Sequence, residues 1–282
     1  MELKNEILKD YEQYCHQKLI DEFGCYKSDA QTAMKLYHRY KHRMLKICPR
    51  KVIELSNILI PQEYLYAYNQ IVSDITKGEK LKKYQSRRLK TLDYNDDMLS
   101  HWGIQHFHLG DILEKDGFVK RTGDLLFIHF TDTKAHIIGL FSHSDWCDLD
   151  IIETIHKNWP EILIKYKYGS HESPLTEEEY KTLRAKNCNA FIAVQDGTEY
   201  FPPGSGVMGD GTPILAMNKL QKLMMIFEKS FEDISLNIDQ IFESDPKKQK
   251  SDIVTIGLEI NDINQRCVYV IKETDHRFTL NY

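Results

Sequence analysis

Two apolar runs, residues 125–130 and 135–143, stand on either side of the polar tetrapeptide Thr131-Asp132-Thr133-Lys134. Such runs, joined by a short polar turn, read as an antiparallel hairpin. An even turn centred between Asp132 and Thr133 sets His129 opposite His136, Phe127 opposite Ile138 and Leu125 opposite Leu140 on one face. His143 then falls on the other face with Ile137 and Phe141, because successive side chains of a strand alternate. Just upstream, Ile104, His106 and His108 alternate with Gln105, Phe107 and Leu109 at strand spacing.

Helical patterns surround these strands. Leu3, Ile7, Leu8, Tyr11 and Tyr14 recur at helical spacing, as do Ala33, Leu36, Tyr37, Tyr40 and Met44. Pro49 ends that stretch, and Pro61 opens a helix that stops near Gly78. After the hairpin, Ser144 and Asp145 are read as caps of a helix that buries Leu149, Ile152, Ile155 and Trp159. Thr176-Glu177-Glu178-Glu179 is a capping box, and Asp196-Gly197 joins residues 190–195 to 198–201 as a second hairpin. Thr212-Pro213 starts a long helix, and a last hairpin turns at about residues 261–265. The expected fold is α+β: a helical N-terminal region followed by a mostly antiparallel sheet with packed helices. Three regions are expected: a basic helical region over 1–100, a histidine-rich α/β core over 101–170, and a C-terminal α/β region with hairpins and a long helix over 171–282.

With 41% hydrophobic and 28% charged residues, the composition excludes a disordered, collagen-like or disulfide-scaffold chain. Charges begin at Glu2 and Lys4, which leaves no apolar signal-peptide core, and no run approaches the roughly 18 apolar residues of a membrane span. The six cysteines are scattered without a CxxC pair and read as reduced thiols. A cytoplasmic protein without a membrane partner is expected.

The charge is unevenly spread. Residues 1–100 carry 18 Lys+Arg against 14 Asp+Glu, whereas the remainder is strongly acidic. Between Ala30 and Ile53 there are seven basic residues and no acidic one, and a second cluster holds Lys82, Lys83, Arg87 and Arg88. Clusters of this kind, with Tyr37, Tyr40 and Tyr84 among them, suit a nucleic-acid backbone; a solvated helix face is the alternative.

Five of the twelve histidines lie between positions 106 and 143. His106 and His108 share one strand face roughly 6–7 Å apart, a spacing that lets two imidazoles flank a phosphate as acid and base, or share a metal. Lys120 and Arg121 stand ready to balance the charge that builds up in phosphoryl transfer. His129 and His136 are read as a packed cross-strand pair. Asp111, Asp145 or Asp148 could complete a zinc set, but no HExxH-type signature is present, so neither metal nor cofactor is expected. Gly204-Ser205-Gly206-Val207-Met208-Gly209 matches GxGxxG, yet Pro202-Pro203 precedes it and no βαβ crossover follows, so it is read as an ordinary loop.

The run His106-Phe107-His108-Leu109-Gly110, followed by Lys120-Arg121, Leu125-Leu126-Phe127-Ile128 and a strand ending at His143, resembles the sheet portion of RelE/ParE-type toxins over about residues 101–146. That resemblance implies a cytoplasmic protein which, like the RelE branch, cleaves RNA without metal. His106, His108, His143 and Arg121 then inherit acid/base and charge-stabilising roles, and Lys120 a phosphate-binding one. Those toxins are far shorter and lack a counterpart of the C-terminal region. The stretch from Trp102-Gly103-Ile104 to Trp159-Pro160-Glu161 also resembles an uncharacterised bacterial family, which implies a bacterial or phage-related origin but no activity. The leading expectation is a metal-independent ribonuclease toxin or antiphage effector, with RNA and an antitoxin or other protein as partners. A non-enzymatic binding subunit and a metal-dependent hydrolase are the alternatives.

Overall fold

The computed structural model describes residues 1–24, 26, 30–170, 175–247, 252–261 and 266–280. In chain order the first elements are β1 (Glu2–Asn5), α1 (Ile7–Phe23), α2 (Ala30–Arg43), β2 (Lys51–Glu54), α3 (Leu65–Lys77), β3 (Ile104–His108), β4 (Asp124–Phe130) and β5 (Lys134–Ser142). Then come α4 (Asp150–Asn158), α5 (Pro160–Leu163), β6 (Lys167–Ser170), α6 (Glu177–Ala185), β7 (Ile192–Ala193) and β8 (Thr198–Tyr200). The chain closes with α7 (Ile214–Leu236), α8 (Ile238–Ser244), β9 (Ile253–Asn261), β10 (Arg266–Ile271) and β11 (His276–Phe278). The fold is α+β, with mostly antiparallel pairing and helices packed on the sheets.

The chain divides into two compact units: residues 1–38 with 216–282, and residues 39–215. These are not the three consecutive regions the composition suggested, because β1 at the start of the sequence pairs with β9 more than two hundred residues later. In the first unit β1 pairs in parallel with β9, Glu2 facing Ile253, in a sheet ordered β1-β9-β10-β11. Leu3 therefore belongs to a strand, not to the first helix, which starts only at Ile7. Asp10 of α1 accepts the Leu258 N–H at 2.9 Å, and Lys272 reaches Glu6 and Asp10, each at 2.7 Å. The Tyr269 hydroxyl donates to Ser230 at 2.6 Å and ties β10 to α7. The turn expected at 261–265 lies largely outside the described residues.

The second unit is built on a four-stranded sheet of order β2-β5-β4-β3. Strand β2 pairs in parallel with β5, so the N-terminal region is not purely helical. Helix α3 buries Ala67, Tyr68, Ile71 and Ile75, one stripe at helical spacing, against Leu126, Ile128 and Ile137. Each such fully buried isoleucine contributes about 2 kcal/mol in transfer free energy. Gly78 ends this helix at φ 74°, a left-handed cap, as expected from sequence. The other sheet face, bearing Leu125, Phe127 and Ile138, is covered by Ile151, Ile152 and Ile155 of α4 and Ile162 and Leu163 of α5. Helix α4 begins at Asp150 without a side-chain cap. Asp145, expected to cap it, instead accepts the Ser142 N–H at 2.8 Å and the Ser142 hydroxyl at 2.7 Å, closing the turn after β5. The capping box at Thr176 and Glu179 forms as read, and a small sheet of order β6-β8-β7 includes the Asp196-Gly197 hairpin.

The hairpin register departs from expectation at one residue. His129 faces His136 and Ile128 faces Ile137, but Phe127 then faces Gly139 rather than Ile138. This bulge adds one residue to β5, and from there on each side chain changes face. Leu140 joins the α3 side, while Phe141 joins Phe127 and Ile138. Ring centroids of Phe141 and Phe127 stack 4.9 Å apart.

Candidate active site

The bulge decides where His143 goes. In an unbroken strand it would share a face with Ile137, but one residue later in register it lies on the face of Phe127 and Phe141, where β3 places His106 beside Ile104. At this face lies an open cavity of about 470 Å³. Its wall includes His106, His143, Arg121, Arg88, Asp96 and Asp97, with Tyr94, Phe127 and Trp146 as aromatic surfaces.

Two short segments supply the acids and the aromatic floor. Residues Met98–Trp102 form a π-turn, ended by Gly103 at φ 72°. Such wide turns commonly re-aim side chains at functional sites. Just before it, Asp96 accepts the Leu99 N–H at 3.1 Å through one oxygen and sets the other 3.7 Å from Nδ1 of His106. Asp97 accepts from the Asn95 amide at 3.0 Å; burial raises its pKa, opposed chiefly by the nearby charge of Arg184. That guanidinium is buried, 4.3 Å over the Trp102 ring, and donates to the Trp146 carbonyl. Trp146 is thereby pinned from behind.

The cations are disposed differently from one another. Arg121 and Arg88 are exposed at the cavity. Arg88 lies 5.4 Å over the Tyr94 ring, and Arg43 5.6 Å over the same ring. Burial and the Arg121 charge, in that order, lower the pKa of His143, which hydrogen-bonds with the backbone of Thr122.

His108 does not line the cavity. It is 2% exposed and its Nδ1 accepts the Thr122 N–H at 3.3 Å, which places the proton of the neutral ring on Nε2. Its centroid is 5.4 Å from that of His143. Burial first, then the His143 charge, push its pKa down to about 4. It supports His143 rather than facing a ligand with His106. The His129 and His136 rings sit 6.2 Å apart as a cross-strand pair, with buried His136 packed against Trp159 and His129 half-buried.

Most basic residues named from sequence are engaged within the fold. Lys83 pairs with Asp74 at 2.8 Å, and Arg87 pairs with Glu114 and, at 2.7 Å, with Asp116. Lys82 is half-buried in a short 3-10 turn, and Lys120 is exposed outside the cavity wall. In the more N-terminal cluster, Arg43 donates to the carbonyls of Thr91 and Leu92, and Arg50 to that of Thr131, at 2.9–3.2 Å. These arginines staple loops, because a guanidinium offers five donors to orphan carbonyls.

The glycine loop is no phosphate cradle. Its amides are spent internally: Gly204 N–H on His101 O, Gly206 N–H on Ser100 O, and Val207 N–H on the Asn189 side chain. Among the described residues no three His, Cys, Asp or Glu side chains are gathered so as to hold a metal ion. No helix among them is long and apolar enough to cross a membrane.

Sequence reasoning missed Asp96, Asp97, Tyr94 and Trp146. The signal available was the pair Asp96-Asp97 directly before Met98, but it had no periodicity to mark it. Comparison of the chain with family models, with curated proteins and with solved structures finds no match.

Proposed function

We propose that the chain is a cytoplasmic, nucleic-acid-directed effector that cleaves RNA by acid/base catalysis without a metal. One observation carries this reading: two imidazoles, His106 and His143, line one open cavity with the guanidinium groups of Arg88 and Arg121.

RNA cleavage of this kind needs a base for the 2′-hydroxyl proton, an acid for the 5′-oxygen that leaves, and positive charge around the phosphoryl oxygens. His143, whose lowered pKa keeps the ring neutral at pH 7, is assigned the base. His106, with the Asp96 carboxylate beside Nδ1 to compensate a positive ring, is assigned the acid. The 2′-oxygen attacks phosphorus as its proton passes to His143. The bond to the 5′-oxygen breaks as that oxygen takes a proton from His106, leaving a 2′,3′-cyclic phosphate and a free 5′-hydroxyl. Arg121 and Arg88 face the phosphoryl oxygens, and Tyr94 and Trp146 offer ring faces to the flanking bases.

The test is cleavage of a single-stranded RNA oligonucleotide by purified protein in excess chelator. His106→Ala and His143→Ala should each lower the rate a hundredfold or more, with the thermal transition retained. Cleavage that persists in both variants, or that appears only when metal is restored, refutes the assignment. RNA that is bound but never cut would favour a binding subunit.

A further inference from the structure

The cavity wall holds a second carboxylate, Asp97, that the cleavage scheme does not use. Its neighbour Asp96 is occupied, one oxygen on the Leu99 N–H and the other beside His106. Asp97 stands at the position from which a side chain would cap the turn 98–102, yet it makes no such bond. One of its oxygens accepts from the Asn95 amide at 3.0 Å. That amide is oriented in turn by the Ser100 hydroxyl, which donates to its carbonyl at 3.2 Å. The other Asp97 oxygen has no hydrogen bond or ion pair among the described residues, and it is not sealed in the core. A half-buried carboxylate has lost part of its hydration, which is why burial raises its pKa. An oxygen left there without a donor is a binding site for one.

Arg184 links this carboxylate to a flat ring. Its charge is the chief one favouring the ionised form of Asp97. The same guanidinium lies 5.6 Å from the centroid of the Trp146 ring and donates to the Trp146 carbonyl. Trp146 is itself half-buried in the cavity wall. A carboxylate edge and a braced indole face therefore border the same cavity as His106 and His143.

Hydrogen-bond patterns then select among the four bases. An ionised carboxylate only accepts. Guanine sets two donors side by side on its Watson–Crick edge, N1–H and the N2 amino group. Adenine and cytosine each place a ring-nitrogen acceptor beside a single amino group, and uracil flanks its one N–H with carbonyls. Each of those three turns a lone pair toward the carboxylate, whereas guanine does not.

We propose that Asp97 and Trp146 bind a guanine base next to the scissile phosphate, with Asp97 accepting from N1–H and N2–H while the base stacks on Trp146. This assignment rests on the RNA-cleavage reading above and names the base which that reading leaves open. It concerns recognition, not the proton transfers.

The experiment measures, by calorimetry, binding of 3′-guanylate, 3′-adenylate, 3′-cytidylate and 3′-uridylate to full-length native protein; none has a phosphodiester to cut. Guanylate should bind about tenfold or more tightly than the other three. 3′-Inosinylate, which lacks only the N2 amino group, should lose several-fold on the same unaltered protein. Asp97→Asn, close to isosteric, should bring guanylate to within about twofold of adenylate with the thermal transition retained. Trp146→Leu should weaken guanylate about tenfold, and Trp146→Phe, which keeps a ring, less. Four nucleotides bound alike, or none bound, overturn the proposal, as does inosinylate held as tightly as guanylate. A preference for adenylate or cytidylate also overturns it, since Asp97 would then be a protonated donor. RNA cut equally beside all four bases, with no preference for guanylate, defeats this assignment and leaves His106 and His143 standing. Selective binding of guanylate by a protein that never cuts RNA does the reverse.

Discussion

His143 and Arg121 illustrate how one charge sets the working range of another. The imidazole is depressed first by burial and then by the guanidinium, so its neutral, proton-accepting form persists to lower pH than that of an ordinary histidine. The rise of cleavage rate with pH, which reports the base, should therefore lie below about pH 6.5. Arg121→Gln removes a cation that disfavours the protonated ring, so that limb should move to higher pH while the maximal rate falls. A pH–rate profile of both proteins checks the direction. A limb that stays in place means that Arg121 does not act on the base. Asp96 makes a different prediction: Asp96→Asn keeps the size beside His106 but loses the charge, and should lower the maximal rate about tenfold or more without changing dinucleotide KM. His106 and His143 could be named from sequence because strand periodicity and the run of histidines pointed to them. Asp96 could not, since it sits in a turn whose course only the packed structure defines.

At the scale of the element, the bulge in β5 is the device that assembles the site. It contributes one extra residue and reverses the facing of everything after it, as Leu140, Phe141 and His143 show. Two length variants should behave in opposite ways. Deleting Gly139 lets Phe127 pair with Ile138 and keeps Leu140, Phe141 and His143 on their present faces, so the protein should fold and cleave RNA. Inserting one alanine after Gly139 turns Leu140 toward α4 and His143 toward α3, and should abolish cleavage and lower Tm by several degrees. Cleavage assays and thermal melts of the pair decide this. Failure of the deletion with tolerance of the insertion would show that the bulge does not set the facing. The hairpin itself was legible, down to the His129–His136 pairing, because alternation and turn composition are local. The bulge was not, because a glycine between Ile138 and Leu140 looks like any other strand glycine until its partner strand is known.

The whole molecule carries buried histidines that make it sensitive to acid. His101, His108 and His129 are depressed to about 3, about 4 and about 4, in each case chiefly by burial. A folded-state pKa below the unfolded value of about 6.5 means that the unfolded chain binds more protons throughout the interval between them. Stability is thus full above about pH 6.5 and is lost as pH falls toward 4. Each unit of depression corresponds to about 1.4 kcal/mol per group. Tm should decline steeply over that range, and His129→Phe should make the decline shallower. A flat Tm between pH 7 and 4.5 would contradict the burial of these rings. The α+β class was readable from the sequence as a whole, whereas the partition into units was not, since it depends on which distant strands pair.

That partition has a consequence for how the protein is made. Strand β1 leaves the ribosome well ahead of its partner β9, which is synthesised more than two hundred residues later, Glu2 waiting for Ile253. All of residues 39–215, with both imidazoles and both cavity arginines, emerge in the interval. The nascent chain therefore completes the portion that bears its chemistry before β1 has met β9, and a polypeptide arrested shortly after Leu215 already contains every group assigned to cleavage.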